Sequence, residues 1–360
     1  MAETAPPLPS QQSRSHPSHM KTVKTLSESP DLISIPSTYI IRPDPQEQVI
    51  SSELVSLPVI DYSLLVSGTP DQRSNAIHDL GKACQDWGFF MVINHGVPEG
   101  LMRSIVDVCK GFFDLTEEEK QQYEGKNVLD PIRCGTSFNA PAEKVFFWKD
   151  FLKILVNPVF HSPTKPEMFR EISLEYSKRV REVARELLEG ISKSLGLEEN
   201  YIDKALDLEE GLQVIAANLY PPCPQPELAI GMPPHSDHGL LTLLIQNGIG
   251  GLQIQHQGKW VNVNAIPISF LVNTGDHLEI LTNGMYKSVL HRAVVNNKAT
   301  RISIAMAHGP SLESVVSPSP HLLQNHSNRP AYTGMKYKDY LQFQQSNKLE
   351  GKTCLDRLRI

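Results

Sequence analysis

The apolar positions in the N-terminal half of the chain recur mostly at helical spacing. Three segments show this spacing, at Ile77, Leu80, Cys84 and Trp87, at Leu101, Ile105, Val108 and Phe112, and within 168–195 at Val180, Val183, Leu187, Ile191 and Leu195. Short apolar runs at 58–61 and 88–93 instead predict buried strands. Thr116 and Glu119 have the spacing of a capping box and predict a further helix start. We therefore expect a mainly helical region over residues 31–210.

The pattern changes to short strand-like segments after Gly211. The predicted strands cover residues 212–220, 240–246, 252–255, 260–263, 270–273, 288–295 and 301–308. Gln257-Gly258 predicts a hairpin turn between two of them, and Thr282-Asn283-Gly284 predicts another turn. Strands at this spacing favour a sandwich or barrel over a parallel sheet.

The regions at the two ends of the chain have different characters. Residues 1–30 hold few large apolar side chains and several prolines, so we expect a disordered tail there. The strand-rich region should span 211–325, and a last helix within 326–360, near 336–346, should pack back on it.

Composition and charge restrict the class of partner. Hydrophobic residues make up 40% and charged residues 21% of the 360 positions, which is a globular profile. A net charge of -6 gives no general attraction to nucleic acid or to anionic membranes, so we expect a small organic partner. The five cysteines are scattered without a CxxC pair, and no apolar run reaches the roughly 18 residues that span a bilayer. Since no signal-peptide pattern is present, we expect a cytoplasmic protein. We also expect a monomer.

Candidate metal ligands lie in the strand-rich region. His235 and Asp237 are two apart, so in a strand they would project from one face, and His291 could reach the same point from a distant strand. Two imidazoles and one carboxylate on one face leave three metal positions open, as ferrous oxygen chemistry requires. The same residues could also be ordinary solvated or hydrogen-bonded side chains, because a His-x-Asp pair is common.

A second group of polar residues, also in the strand-rich region, supports a functional site there. Arg301 and Ser303 would share a strand face, and the planar guanidinium of Arg matches a carboxylate. Asn218 and Tyr220 would likewise share a face just before Pro221-Pro222-Cys223-Pro224. Arg301 could instead form a surface ion pair, but its apolar neighbours favour burial, where an unpaired cation is costly.

An ordered series of motifs runs through most of the chain. It comprises Trp87-Gly88-Phe89-Phe90, Asn94-His95-Gly96-Val97, Asn218-x-Tyr220-Pro-Pro-Cys-Pro, His235-x-Asp237, Gly251-Leu252-Gln253, Asn283-Gly284, His291-Arg292 and Arg301-x-Ser303. In this order the series resembles the plant 2-oxoglutarate/Fe(II)-dependent dioxygenases of specialised metabolism, which include flavonoid, coumarin-pathway and alkaloid oxygenases. The resemblance covers residues from about 33 to 360.

The resemblance implies a fold, cofactors and roles. The fold would be α+β with a mainly β core, a double-stranded β-helix (jelly roll) with N-terminal and flanking helices. The cofactors would be Fe(II), 2-oxoglutarate as cosubstrate, O2 and ascorbate. His235, Asp237 and His291 would bind the metal and act catalytically through it. Arg301, Ser303 and Tyr220 would bind the distal carboxylate of 2-oxoglutarate, and Asn218 would lie beside it.

The same resemblance implies an oxidative activity. The enzyme would release succinate and CO2 and oxidise its substrate through an Fe(IV)=O species, most simply by hydroxylation. O-demethylation or desaturation of an alkaloid or phenylpropanoid is an alternative at the same site. A non-catalytic jelly-roll protein that binds a small molecule, or a zinc hydrolase with the same ligands, are alternatives from other classes; the intact ligand set argues against the first and Arg301-x-Ser303 against the second.

Four further positions match substrate-lining residues of flavonoid-oxidising relatives, namely Cys134, Phe138, Ala216 and Ala307. Ala307 stands where those relatives place a stacking Phe, and Ala216 where some carry a Lys. Both changes enlarge the expected pocket and remove anchors for a flavonoid. We therefore expect a fairly apolar, neutral or aromatic specialised metabolite. The candidates for an aromatic wall of its pocket are Phe138, Phe146, Phe147, Trp148 and Phe151.

Several other polar residues are expected to lie outside the site. Alternation turns His238 away from the face of His235, and His95 falls in a structural turn. Asp276 would cap backbone in a turn next to His277, and Cys223 would serve packing.

Overall fold

The computed structural model describes residues 21–41, 47–51, 56–137, 145–325, 329–349 and 351–360. Its strands, in chain order, are β1 Val49–Ile50, β2 Val59–Asp61, β3 Phe89–Ile93, β4 Ile132–Thr136, β5 Asp150–Asn157, β6 Gly211–Tyr220, β7 Met232–His235, β8 Leu241–Gln246, β9 Leu252–His256, β10 Lys259–Asn262, β11 Phe270–Thr274, β12 His291–Ala293, β13 Arg301–Ser311, β14 Val315–Val316 and β15 Met335–Lys336. Its α-helices are α1 Val23–Ser27, α2 Tyr62–Ser67, α3 Pro70–Asp86, α4 Glu99–Phe113, α5 Glu117–Gln121, α6 Phe169–Ser194, α7 Tyr201–Leu206, α8 Asp276–Leu281, α9 Pro320–Asn325, α10 Tyr337–Ser346 and α11 Thr353–Asp356.

Two main sheets build the core. An eight-stranded sheet has the order β2-β3-β11-β8-β13-β6-β5-β4, and a five-stranded sheet has the order β1-β10-β9-β12-β7. Apart from the parallel pairs β1–β10 and β2–β3, neighbouring strands in these sheets are antiparallel. Helices lie outside the larger sheet. This architecture confirms the predicted α+β class with a double-stranded β-helix core.

Strict alternation gives β6 and β13 two different faces. Ile215, Ala217 and Leu219 of β6, with Ile302, Ile304 and Met306 of β13, join the buried core that also contains the apolar stripe of α6. The residues between them face the opposite way, because successive side chains of a strand point to opposite sides of the sheet. That second face forms one wall of a pocket between the two sheets.

The helical predictions agree closely with the structure. The segment predicted over 168–195 forms α6, with Met168 and Leu195 as its caps and Val180, Val183 and Leu187 buried. Thr116 and Glu119 form the predicted capping box, since each side chain bonds the other's backbone N–H at the start of α5. The Gln257-Gly258 hairpin is also confirmed, with φ of 49° and 78°.

The expected disordered tail over 1–30 is wrong for residues 21–30. Val23–Ser27 forms α1, and Val23 is fully buried. The carboxylate of Asp150 accepts the backbone N–H groups of Val23 and Lys24 at 2.9 and 2.8 Å, which satisfies donors that a helix start leaves free. Residues 1–20 lie outside the described residues.

The region 31–210 is helical but not separate from the strands that follow it. It contributes β2, β3, β4 and β5 to the larger sheet, so the boundary expected at residue 210 falls inside one sheet. The last predicted helix, near 336–346, is α10, and it ends beside the pocket. In the described part of the chain, no helix has the length and apolar character needed to cross a membrane.

Candidate active site

His235, Asp237 and His291 come together between the sheets. His235 ends β7 and His291 begins β12, and the two are direct cross-strand partners. The Nε2 atoms of His235 and His291 each lie 3.6 Å from Oδ1 of Asp237. One ligand atom from each residue falls within 4.8 Å of the others. Asp237 reaches this point from the segment just after β7 rather than from the strand itself, and its carbonyl accepts the N–H of Asp276 at 2.8 Å.

Each of the three side chains is oriented by a second partner. Nδ1 of His235 lies 2.8 Å from the carbonyl of Pro233, and Nδ1 of His291 lies 3.2 Å from that of Val289. In a neutral imidazole, a ring nitrogen that donates to a carbonyl leaves the other nitrogen unprotonated, and here that nitrogen is directed toward the shared point. Asn273 donates from its amide to Oδ2 of Asp237 at 2.9 Å, so that Oδ1 remains for the centre.

The electrostatics favour the forms that bind metal. Burial, with His291 as the next cause, lowers the pKa of His235 to about 3. Burial acts to raise the pKa of Asp237, but His291 and His235 beside it hold that pKa below its usual range. The site therefore presents a carboxylate and a neutral imidazole at physiological pH, and metal binding requires these deprotonated groups.

A polar end of the pocket is built from the inner face of β6 and β13. Arg301 is paired across the strands with Tyr220, and Ser303 with Asn218. Arg301 is 2% exposed, and its guanidinium lies 5.0 Å from the centre of the Tyr220 ring. Its Nε and Nη2 atoms donate to Oε1 of Gln246 at 3.3 and 3.1 Å, and in the described part of the chain no carboxylate pairs with it. A buried Arg bonded to a neutral amide suits an incoming carboxylate.

The Tyr220 hydroxyl completes this polar end. Burial raises the pKa of Tyr220, while Arg301 and hydrogen bonds with Ser303 and Arg301 act against that rise. The phenol is consequently a neutral donor at physiological pH. All four residues line the same pocket as the His-Asp-His cluster.

Two lysines in this pocket were not predicted from the sequence. Lys149 is buried and donates from Nζ to Oδ1 of Asn218 at 2.9 Å. Lys153 lies on β5 directly opposite Ala216 of β6 and also lines the pocket. The available signal was a pair of lysines four apart within the apolar run from Phe146 to Ile154, since such spacing puts both on one strand face.

Two of the four predicted substrate residues line the pocket. Ala216 and Ala307 line the pocket. Cys134 does not contact the pocket formed by the described residues, because Arg133, not Cys134, faces the same side as Lys153, and the Cys134 thiol donates to the carbonyl of Lys120 at 3.5 Å. Phe138 lies outside the described residues.

The expected aromatic wall is also wrong for the described residues. Phe146 and Trp148 pack in a separate cluster with Tyr39, and the Trp148 indole donates to the carbonyl of Pro221 at 3.2 Å. Phe147 and Phe151 are buried but are not among the described residues that line the pocket.

The polar residues expected to lie outside the site have other partners. His95 bonds the carbonyl of Ile268 at 3.0 Å, and Cys223 is buried in packing. His238 lines the pocket, but its Nδ1 bonds the Tyr337 hydroxyl at 2.8 Å. The interpretation of Asp276 was wrong: it starts α8, and its carboxylate accepts from the Tyr340 hydroxyl at 2.6 Å.

Family comparisons agree with this geometry. Residues 210–310 match the 2OG-Fe(II) oxygenase superfamily, and residues 57–174 match the family described as non-haem dioxygenase in morphine synthesis N-terminal. The first match contains the His-Asp-His cluster and the Arg301 end of the pocket. The second contains the helices α3 and α4 and the strands β3 to β5.

Individual relatives cover nearly the whole chain. The 2-oxoglutarate-dependent dioxygenase 19 of Oryza sativa subsp. japonica is 47% identical over 84% of this chain and 90% of its own. Thebaine 6-O-demethylase of Papaver somniferum is 37% identical over 91% of this chain and 93% of its own. The crystal structure of JOX2 in complex with 2OG, Fe and JA is 30% identical with a TM-score of 0.85, covering 96% of this chain and 99% of JOX2. The chain therefore belongs to the 2OG-Fe(II) oxygenase superfamily and is an oxidoreductase of the dioxygenase type that uses Fe(II) and 2-oxoglutarate.

Proposed function

We propose that His235, Asp237 and His291 hold Fe(II) in this enzyme. The supporting observation is the convergence of three ligand atoms within 4.8 Å of one another, each on a side chain fixed by a further hydrogen bond. Two imidazole nitrogens and one carboxylate oxygen are a suitable donor set for iron, and together they occupy one face of the ion. An iron ion held there would keep positions free for the cosubstrate and O2, since the three ligands line the same pocket as Arg301.

Arg301, Ser303 and Tyr220 are proposed to hold the distal carboxylate of 2-oxoglutarate. Arg301 supplies a buried positive charge, and the Ser303 and Tyr220 hydroxyls supply donors beside it. Asn218 lies next to Ser303 across the strands and is itself held by Lys149. This arrangement fixes the orientation of a dicarboxylate, because a guanidinium and a carboxylate meet in a defined plane.

Bound Fe(II), with 2-oxoglutarate and O2, supplies the oxidising power for attack on a substrate C–H bond, with release of succinate and CO2. The side chains do not need to act as acid or base in this scheme. Their tasks are to present three ligands on one face, to orient the cosubstrate through Arg301 and to exclude water between the sheets. Ascorbate should support turnover, as the family resemblance implies.

The substrate is proposed to be a fairly apolar plant specialised metabolite, most simply hydroxylated. Ala216, Ala307, Val214, Leu244 and Phe89 are among the apolar residues that line the pocket. The small side chains at 216 and 307 leave room for a ring system. O-demethylation is the second candidate, supported by the 37% identity to thebaine 6-O-demethylase. We also propose a cytoplasmic monomer, which size-exclusion chromatography and a fluorescent fusion would test.

One assay separates the proposed function from its alternatives. Purified enzyme with Fe(II), ascorbate and a panel of plant metabolites should release succinate and CO2 and shift the metabolite mass by +16 for hydroxylation, -14 for demethylation or -2 for desaturation. His235→Ala should abolish turnover, while replacement of the exposed His78 by Ala should not. Full turnover by His235→Ala would exclude the metal assignment. Hydrolysis of a metabolite with zinc as the only metal and without 2-oxoglutarate would favour a hydrolase.

A further inference from the structure

We propose that the organic substrate carries a carboxylate and that Lys153, with Lys149 beside it, binds this group while an apolar body extends toward the metal. The inference rests on the proposed function, because it assigns the substrate of that same site. The proposed substrate still has the apolar body expected from Ala216 and Ala307, but it is an organic acid and not the neutral molecule expected from the sequence.

The position of Lys153 follows from strand register. Lys153 of β5 is paired with Ala216 of β6, which is paired with Ala305 of β13, which is paired with Leu244 of β8. Cross-strand partners project from the same face of a sheet, and all four residues line the pocket. Lys153 is thus a cationic side chain at one end of a row of small and apolar ones, next to the row that contains Asn218 and Ser303.

Beside this row, the wall of the pocket is apolar and small. The adjacent row contains Val214, Ala307 and Thr242, and Leu252 and Phe89 line the same pocket. The described lining also includes Gln344 and Leu349 from the C-terminal segment. A ligand in contact with these residues needs an apolar body, and its one ionic contact on this side would be with the lysines.

The charges of the pocket favour an anion on the lysine side. Asp237 is the one carboxylate that lines the pocket in the described part of the chain. Bound Fe(II) and Arg301 would carry three positive charges, which Asp237 and the two carboxylates of bound 2-oxoglutarate would match, and Arg292 is paired with Glu47 at 2.6 Å. Lys149 and Lys153 are the lysines of the described lining, and they can be protonated to meet an anion in the part of the pocket that the cosubstrate would leave open.

The surroundings of the lysines make an anionic ligand favourable. Burial, then Arg133 directly opposite on β4, lowers the pKa of Lys153 to about 7. Burial, then Lys153, holds the pKa of Lys149 well below its usual range. A carboxylate bound between these groups would offset the repulsion among the cations and favour their charged forms. Lys149 is already oriented by its bond to Asn218.

The contact between Lys153 and a substrate carboxylate is tested by changing both partners, the ligand from acid to methyl ester and the protein from wild type to Lys153→Met. The probes are phenylacetic, 3-phenylpropionic and 1-naphthylacetic acids, each compared with its methyl ester. Binding is measured by calorimetry to enzyme loaded with Fe(II) and 2-oxoglutarate in the absence of O2, for the wild type and Lys153→Met. Methionine preserves the apolar stem and removes the charge. Lys204→Met, at an exposed position of α7, is the matched control.

The wild type should bind at least one acid roughly 10- to 100-fold more tightly than its ester, as expected for hydrogen bonds between charged groups. Lys153→Met should lose that preference while its affinity for the ester changes by less than about twofold. Equal binding of acids and esters by the wild type, an unchanged preference in Lys153→Met, or no binding of any acid would each overturn the proposal.

The two proposals fail in different ways. If the wild type binds neither Fe(II) nor 2-oxoglutarate, the proposed function is wrong. If it binds both and oxidises neutral metabolites without any preference for acids, only the carboxylate assignment is wrong. The comparison of acid with ester in the wild type does not depend on the folding of Lys153→Met, whose thermal unfolding is recorded alongside.

Discussion

His235 and His291 face each other across the antiparallel pair β7–β12, with ring centroids 4.2 Å apart. The two strands come from distant parts of the sequence, so the metal site forms only when the smaller sheet is assembled. Asp237 completes the site from the segment after β7, and its free rotation is limited by Asn273. The ligand geometry therefore depends on groups that never contact the metal.

Asn273→Ala should weaken iron binding without unfolding the protein. The change removes the amide that holds Oδ2 of Asp237, and loss of such an orienting partner costs roughly 10- to 100-fold in metal affinity. Competition with a chelator measures this loss. Asn200→Ala, at an exposed position, should leave the affinity unchanged. An unchanged affinity in Asn273→Ala would show that the carboxylate needs no such support.

Arg301→Lys should raise the KM for 2-oxoglutarate by roughly tenfold or more. Lysine keeps the charge but loses the planar pair of donors that matches a carboxylate, and Tyr220 loses the guanidinium stacked on its ring. Steady-state kinetics with varied 2-oxoglutarate measure the effect, and iron affinity in the absence of cosubstrate should stay within about twofold. Arg103→Lys on the exposed face of α4 is the control. Equal KM values for the two variants would contradict the assignment.

Lys352→Met should destabilise the fold far more than Lys336→Met. Lys352 donates at 2.6 Å to Glu279, which is 1% exposed, so its removal leaves a buried carboxylate without its nearest cation. Because Arg359 still pairs with this carboxylate at 3.4 Å, a loss of roughly 2 kcal/mol in the free energy of unfolding is expected. Lys336 pairs with Glu313 at 2.9 Å on the surface, where such pairs contribute about 0–1 kcal/mol. Urea unfolding measures both, and similar losses in the two variants would disprove this ranking.

Asp276 should make stability fall as pH rises from about 4 to about 6. Burial raises its pKa from 3.8 to about 6, although the Tyr340 hydroxyl donates to it. The folded protein therefore holds this proton more tightly than the unfolded chain does. The resulting stabilisation is complete below the unfolded pKa and is lost as pH passes the folded one.

Asp276→Asn should remove this dependence. Relative to the variant, the wild type should lose roughly 2–3 kcal/mol of unfolding free energy between pH 4 and pH 7. Urea unfolding at intervals of one pH unit gives both curves. Parallel curves for the two proteins would mean that Asp276 titrates normally.

The parts of the site that were predicted correctly are those that follow from strand alternation and from the order of the motifs. Arg301, Ser303, Asn218 and Tyr220 share a face because period two is a property of any strand, and register then places them in adjacent rows. The lysines were missed because both alternating faces of the run from Phe146 to Ile154 carry large apolar side chains. The spacing of Lys149 and Lys153 puts them on one face, but it does not indicate that this face meets a pocket. The motif resemblance misplaced Cys134 for a related reason, since a one-residue difference reverses the face.

Other failures came from contacts between distant segments. The helix α1 depends on Asp150, which no local propensity of residues 21–30 reveals. The turn assigned to Asp276 is the first turn of α8, whose carboxylate is held by Tyr340 near the end of the chain. Local sequence can show that such residues are polar in an apolar setting, but not which partner satisfies them.

Because side chains alternate between two faces along β6 and β13, substitutions and one-residue insertions in these strands have different consequences for related enzymes. A substitution on the pocket side, such as at Ala216 or Ala307, alters what the enzyme accepts without touching the helix-facing core. An insertion or deletion of one residue in either strand would exchange the two sides and bury Arg301 against α6. The substrate specificity of this fold can therefore change through substitutions in β6 and β13, but not through changes in the length of these strands.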